Sequence, residues 1–188
     1  MDDVVLVRHG ESESAAAGVV GGDAPLTPPG RDQAREAGRA LAEHPFDRCF
    51  TSPARRARKT AAIVLEAREV PQTVLPDLAD IGFGSFAGKS LHEYRAWIAA
   101  HDPAEAPPGG ESRADTLRRF CRAYRALLGR AERHLLVVAH GLTLSALTED
   151  PPQPSVAGVP YGSSLELTRA ELAAAVARLE RWCEAPAW

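Results

Sequence analysis

Cysteine is scarce in this chain of 188 residues: Cys49, Cys121 and Cys183 are the whole complement. An odd count at these spacings gives neither a disulfide framework nor a metal-binding motif. Cys121 falls on an apolar helical face and reads as a reduced core thiol, which points to an intracellular, reducing compartment. No apolar run approaches the length of a membrane span, so no membrane partner is expected. The start, Met1-Asp2-Asp3, lacks the basic and apolar regions of a signal peptide, and the expected location is cytoplasmic. No long basic run exists either. The arginines are scattered among acids and the net charge is −3, which argues against a general nucleic-acid binder. Repeats, low-complexity segments and linkers are missing, so residues 1–188 read as one domain.

What is present is an ordinary globular balance, 45% apolar and 25% charged. Strand and helix signals alternate along it. Val4–Val7 is a β-branched apolar run of the kind buried on both faces of a parallel sheet. Residues 10–23 read as a loop. Thr27 caps a helix that carries Pro28 and Pro29 in its first turn and Ala34, Ala37, Gly38 and Leu41 at helical spacing. Arg48–Thr51 is a short strand. Ser52 is expected to cap the next helix, with Pro53 at its first position and Ala57, Thr60, Ala61, Val64 and Leu65 on one face. Gln72–Leu75 is a further strand, and Asp77–Gly88 an ordered loop. Ser90 and Glu93 form a capping box. A proline-rich loop, His101–Gly110, precedes a long helix opened by Ser112 and Asp115. Its stripe is Leu117, Phe120, Tyr124, Leu127 and Leu128. Leu135–Ala139 is a second buried strand and Leu142–Leu147 begins a helix. Pro151–Pro160 is a loop and Ser164–Thr168 a last strand. Leu172, Val176, Leu179 and Cys183 mark a terminal amphipathic helix. This alternation predicts a three-layer α/β/α fold around a mostly parallel central sheet.

Both buried strands stop at a histidine followed by glycine: Arg8-His9-Gly10 and Ala139-His140-Gly141. In open parallel sheets ligands bind beyond the carboxyl ends of the strands. If these two strands are neighbours, the two imidazoles meet at one sheet edge. The segment Ser52-Pro53-Ala54-Arg55-Arg56-Ala57-Arg58-Lys59 concentrates cations in a helix's first turn. That arrangement opposes the helix dipole, and a nearby anion would relieve it. Helix amides together with arginine make a good phosphate site. His44, His92, His101 and His134 lack a motif and read as surface residues.

These segments resemble the histidine phosphatase superfamily, the phosphoglycerate-mutase-like fold. Val5-Leu6-Val7-Arg8-His9-Gly10-Glu11-Ser12 is similar to its opening motif. Pro25-Leu26-Thr27-Pro28-Pro29-Gly30 with Gln33-Ala34 is similar to the next signature. Ser52-Pro53, Arg56-Ala57 and Thr60-Ala61 match its arginine-bearing helix. Gly84-Ser85-Phe86-Ala87-Gly88, Gly110-Glu111-Ser112 and Val137-Val138-Ala139-His140-Gly141 follow in order. The match runs from about Val4 to about Ser164.

The resemblance implies that His9 attacks phosphorus and becomes a phosphohistidine. Arg8, Arg56 and His140 would surround the phosphoryl oxygens as cations, with Gly141 and Ser12 as further phosphate contacts. Fixed cations would replace a metal; no His/Asp/Glu ligand cluster is visible in the sequence, and no cofactor is expected. The family's acid is usually Glu, two residues after a leucine. Here Leu78-Ala79-Asp80 puts Asp80 there, one methylene shorter, with Asp77 as a weaker candidate. Where the family often has Asn as a phosphate ligand, this chain has Ala15, and Ser12 or Ser14 would compensate. Glu111 reads as a helix-start residue or as a contact near the site. The expected activity is hydrolysis of small-molecule phosphate monoesters, in the branch that includes α-ribazole-phosphate phosphatase. Two alternatives stand beside it. One is a phosphoglycerate-type mutase, disfavoured by the lack of longer insertions. The other is a phosphate-binding member with weak or no turnover. A homo-oligomer is compatible with the sequence.

Overall fold

A computed structural model describes residues 1–150, 152–153 and 158–188. Part of the expected Pro151–Pro160 loop therefore lies outside the described residues. The elements run β1 (Asp3–Arg8), α1 (Glu13–Ala16), α2 (Pro28–Ala40), β2 (Arg48–Thr51), α3 (Arg55–Val64), β3 (Gln72–Val74), α4 (Leu91–Ala99), α5 (Arg113–Leu128), β4 (His134–Ala139), α6 (Gly141–Thr148), β5 (Ser164–Thr168) and α7 (Arg169–Glu184). The sheet order is β3-β2-β4-β1-β5. The first four strands are parallel and β5 runs antiparallel on the β1 edge.

Side chains alternate across the sheet and build a core on each face. Val5, Val7, Leu136 and Val138 pack with Ala37, Ala57, Ala61 and Val64 of α2 and α3. Val4, Leu6, Leu135 and Val137 pack with Leu117, Phe120 and Tyr124 of α5 and with Leu172, Val176 and Leu179 of α7. Each of these large side chains contributes about 1.5–3 kcal/mol through removal from water. The expected three-layer α/β/α arrangement is thus the observed one.

Strand β4 is inserted between β1 and β2, so the chain leaves β1 and β4 in opposite directions. Their carboxyl ends form the switch point at which such sheets open a crevice. The register pairs Arg8 with Ala139, and the His9 amide donates to the Ala139 carbonyl at 2.9 Å. His9 and His140 therefore leave the sheet side by side.

Most helix starts follow the sequence. Thr27 caps α2, Ser112 caps α5, and Ser90 with Glu93 closes a reciprocal capping box on α4. Three expectations are corrected. Residues 10–23 are not all loop, because Ser12 caps the four-residue α1. The 77–88 segment contains two short 3₁₀ turns, Pro76–Leu78 and Gly84–Phe86. Helix α3 is capped by Ala54 rather than Ser52, because the Ser52 hydroxyl is drawn into the interior beside His140.

The Pro25–Gly30 segment has a packing reason. A Cβ on Gly10 would lie 2.1 Å from the Gly30 carbonyl oxygen, and one on Gly30 would lie 2.0 Å from that of Glu11. Two backbones press together here, and only glycine fits on either side. Gln33 accepts the Glu11 amide at 2.8 Å and Thr27 donates to Glu11 Oε1 at 2.8 Å, which fixes the loop after His9. We expect Gly30→Ala to lower stability by about 1–3 kcal/mol through overpacking. Gly129→Ala, where the added atom meets only ordinary contacts at 3.5 Å or more, should stay within about 0.5 kcal/mol. Equal urea midpoints for the two variants would contradict the close approach.

Candidate active site

Four side chains converge at the crevice. His9 comes from the end of β1, Arg56 from the first turn of α3, Asp80 from the segment after β3, and His140 from the end of β4. Arg56, only 6% exposed, joins all of them. Its Nε donates to His9 Nε2 at 3.1 Å, its Nη2 to Asp80 Oδ2 at 2.7 Å, and its Nη1 to the Gly22 carbonyl at 3.0 Å. Nη2 also lies 3.3 Å from His140 Nδ1. The neighbouring Arg55, Arg58 and Lys59 are exposed. The Arg55 amide donates to Asp23 Oδ1 at 2.6 Å, so a carboxylate supplies the anion this helix start lacked.

The hydrogen bonds on His9 select its tautomer. Nδ1 sits 2.7 Å from the Gly10 carbonyl, which only accepts, so Nδ1 carries the proton. Nε2 receives the Arg56 N–H and is therefore the bare nitrogen. The ring is buried, and burial, then His140 and Arg56, hold its pKa well below the ordinary histidine value. His9 is thus a neutral imidazole with its lone pair aimed at the arginine.

His140 departs from expectation. Burial pushes its pKa down to about 4, so in this state it is a neutral ring rather than a third cation. Ser52 Oγ holds its Nε2 at 2.7 Å, and the two histidine rings meet edge to face at 5.2 Å. Asp80 is anchored at both oxygens, Oδ1 by the Ile81 amide at 3.0 Å and Oδ2 by Arg56. Burial raises its pKa, but His140, Arg56 and His9 outweigh that and leave it below the ordinary aspartate value. An acid that donates a proton near neutral pH needs a raised pKa, and the free site does not raise it, because the guanidinium hydrogen-bonds the ionised carboxylate directly.

Arg8 lies across the mouth. Its guanidinium carbon stacks 3.7 Å from the Tyr161 ring centre and its Nη1 donates to the Val159 carbonyl. Its Nε is buried without a hydrogen-bond partner among the described residues. A side chain on Gly141 would press on that guanidinium at 3.3 Å, so glycine at the start of α6 leaves the room Arg8 occupies.

Three expected participants make their contacts elsewhere. Ser12 and Ser14 bond to each other at 3.2 Å, and Ser12 accepts the Ala15 amide at 3.4 Å; none of these contacts reaches His9. Capping α1 uses the Ser12 hydroxyl. Asp77 faces Arg122 on the surface at 3.4 Å instead of the crevice. Glu111 has another task. It takes a two-pronged bond from Arg119 at 2.9 and 2.6 Å and accepts the Gly82 amide at 3.3 Å, while Arg119 also donates to the carbonyls of Asp77, Ala79 and Asp80. The pair holds the Asp80 segment in place.

The crevice opens into a cavity of about 170 Å³, whose walls include Phe83, Tyr94, Arg95, Ile98, Arg113 and Leu142. A second one of about 420 Å³, lined by Gly22, Ser52, Ala79 and Ala87, meets it at Asp80, Ile81 and Phe83. Sequence reasoning passed over Ser52 as a ligand of His140, and over Tyr161, Tyr94 and Arg113. A cation in the first turn of α5, against the dipole, was the one available signal, and it marked Arg113.

The crevice at the switch point is basic and sets an unprotonated imidazole nitrogen beside an arginine-bound carboxylate. The chain belongs to the histidine phosphatase superfamily (branch 1), whose family model matches residues 4–183. It is 39% identical over 157 residues to the adenosylcobalamin/α-ribazole phosphatase of Salmonella typhimurium, covering 76% of this chain and 75% of that one. It is also 39% identical over 165 residues to a 2,3-bisphosphoglycerate-dependent phosphoglycerate mutase of Methylobacterium, with 77% of each chain covered. Among solved structures, a mycobacterial glucosyl-3-phosphoglycerate phosphatase superposes with a TM-score of 0.74 at 27% identity, over 89% of this chain and 90% of that one.

The buried neutral histidines make stability depend on pH. His140 has its folded pKa lowered from 6.5 to about 4. Between those values the unfolded chain binds the extra proton, so stability rises with pH across this window and falls on acidification. At 1.36 kcal/mol per pKa unit, His140 alone contributes up to about 3 kcal/mol. Urea unfolding at neutral pH and at about pH 4 should show this loss in the native chain and a smaller one in His140→Asn. The same pH slope in both would contradict it.

Proposed function

We propose that this chain hydrolyses small-molecule phosphate monoesters through a phosphohistidine on His9, without a catalytic metal or cofactor. The observation that carries the reading is the His9 tautomer, with Nδ1–H given to Gly10 and Nε2 bare inside a cationic crevice. The phosphoryl group sits where Arg8 Nε, the Arg56 guanidinium, His140 and the amide end of α6 at Gly141 converge. Nε2 forms a bond to phosphorus as the ester P–O bond breaks. Arg56 moves its N–H from Nε2 to a phosphoryl oxygen. The arginines supply the charge stabilisation that a metal supplies elsewhere.

Asp80 gives its proton to the leaving oxygen. It then takes one from the water that forms the new O–P bond and releases His9. Asp80 is ionised in the free site, and on substrate binding it takes up from solvent the proton that it then donates. A phosphate dianion draws off the Arg56 hydrogen bonds and places negative charge beside the carboxylate, and both effects raise its pKa. The apolar walls at Phe83, Tyr94, Ile98 and Leu142 favour an organic ester over free phosphate. We read the whole chain as one catalytic domain acting in the cytoplasm, where three buried thiols stay reduced. Among the described residues, no helix is long and apolar enough to cross a membrane.

The mutase relative keeps a second reading open, and Arg95 and Arg113 in the cavity suit a substrate with a second anionic group. Single-turnover assays separate the readings. Phosphate released from a monoester by water supports hydrolysis. Retention of the phosphoryl group until it passes to a phosphoglycerate supports the mutase.

Two expectations follow. Intact mass after rapid quenching should show one phosphoryl adduct, absent in His9→Ala; an adduct that survives the substitution would overturn the nucleophile assignment. Asp80→Asn should slow phosphoenzyme formation from an alkyl phosphate by about 10²–10⁴-fold. An aryl phosphate with a good leaving group should lose far less. Equal, small losses for both would move the acid elsewhere.

A further inference from the structure

The opposite end of the sheet carries a second cluster of chemistry. Two of the histidines that the sequence assigned to the surface, His44 and His134, are partly buried there around Asp3. Asp3 opens β1 opposite His134 of β4, and Val5, two residues on, faces Glu166 of β5. Side chains alternate, so Asp3, His134 and Glu166 share the sheet face covered by α2 and α3. His44, on the connection between α2 and β2, closes over them with its ring stacked on Phe46 at 4.4 Å.

We propose that His44 Nε2, Asp3 Oδ1 and Glu166 Oε1 form a site for one zinc-like divalent cation. The three atoms lie within 4.8 Å of one another. Nε2 is 3.3 Å from Asp3 Oδ1 and 3.7 Å from Glu166 Oε1. A tetrahedral ion with bonds of about 2.0–2.2 Å needs ligand atoms about 3.3–3.6 Å apart, so His44 Nε2 and Asp3 Oδ1 already stand at that separation and the exposed Glu166 closes onto them. Asp3 Oδ1 is buried and makes no hydrogen bond among the described residues, although the imidazole nitrogen is close. The other oxygen, Oδ2, takes a 2.6 Å bond from His134 Nδ1. That is the support a ligating carboxylate normally has, and it aims Oδ1 at the gap. One imidazole and two carboxylates suit zinc better than calcium or magnesium, which require more oxygen ligands. The ligands come from β1, β5 and the α2–β2 connection, so an ion would tie the antiparallel edge strand to the helical layer. The sequence hid the cluster because its members are far apart in the chain.

The site is remote from His9, and its test does not depend on the phosphatase reading. Zinc chloride would be titrated by calorimetry into the full chain, the variants His44→Gln and Glu166→Gln, and the positioning variant His134→Asn. Far-ultraviolet circular dichroism and cooperative urea unfolding without added metal verify that each is folded. We expect one zinc per chain, about tenfold or more weaker binding in each ligand variant, and a comparable loss in His134→Asn. A zinc-dependent rise in thermal midpoint should disappear with the binding. No zinc uptake by the native chain would overturn the proposal. So would an isotherm unchanged in His44→Gln and Glu166→Gln, which would move any bound zinc to other ligands.

Discussion

The Arg56 guanidinium is the constraint on which the site depends. A buried cation is tolerated only when its donors are used, and the partners available to Arg56 are His9, Asp80 and the Gly22 carbonyl. Each is fixed in return. The bare Nε2 of His9, the anchoring of Asp80 Oδ2 and the tie to the loop at Gly22 follow from one side chain that enters the crevice from α3. Breaking a buried ion pair typically costs about 3–5 kcal/mol, because one partner is left charged and alone. The pair is therefore also a store of binding potential. A phosphate offers Arg56 the same hydrogen bonds that Asp80 and His9 give it in the free state, so the substrate replaces contacts rather than building a pocket from disorder.

That arrangement explains why the carboxylate is held from behind. Asp80 faces Arg56 and His140, and in the proposed role of acid a shift of about one ångström would misplace its proton. The Glu111–Arg119 pair and the carbonyls of Asp77, Ala79 and Asp80 form a rigid bracket under the segment. Aspartate is shorter than the family's usual glutamate, and the bracket delivers its carboxylate into hydrogen-bond contact with Arg56 all the same.

Much of this was legible in the sequence, and for physical reasons. Two apolar strands ending in histidine implied two imidazoles at one sheet edge, and the β1–β4 register brings them there. Thr27, Ser90 and Ser112 announce their helices because a cap is a local bond. The family resemblance, through Leu78-Ala79-Asp80, pointed to the carboxylate that Arg56 holds. What was missed depends on long-range burial. Ser52 looked like a cap, but β4 arrives beside it and offers His140. His140 looked cationic, but the depth of the crevice removes its proton. Ser12, expected from the resemblance as a phosphate contact, also caps the start of α1, a helix too short to leave a periodic signal. His44 and His134 carry no motif, and only the pairing of β1 with β4 and β5 shows what they face.

The central claim is that His9 is a neutral imidazole whose Nε2 is unprotonated and directed at Arg56 before substrate arrives. Nitrogen-15 NMR of the histidine side chains, titrated with pH in the substrate-free chain, reads this directly. The account predicts that the His9 signals report a protonated Nδ1 and a bare Nε2 at neutral pH, and that this form persists well below the ordinary histidine pKa of about 6.5. An imidazolium at neutral pH, or a ring protonated at Nε2, would contradict it.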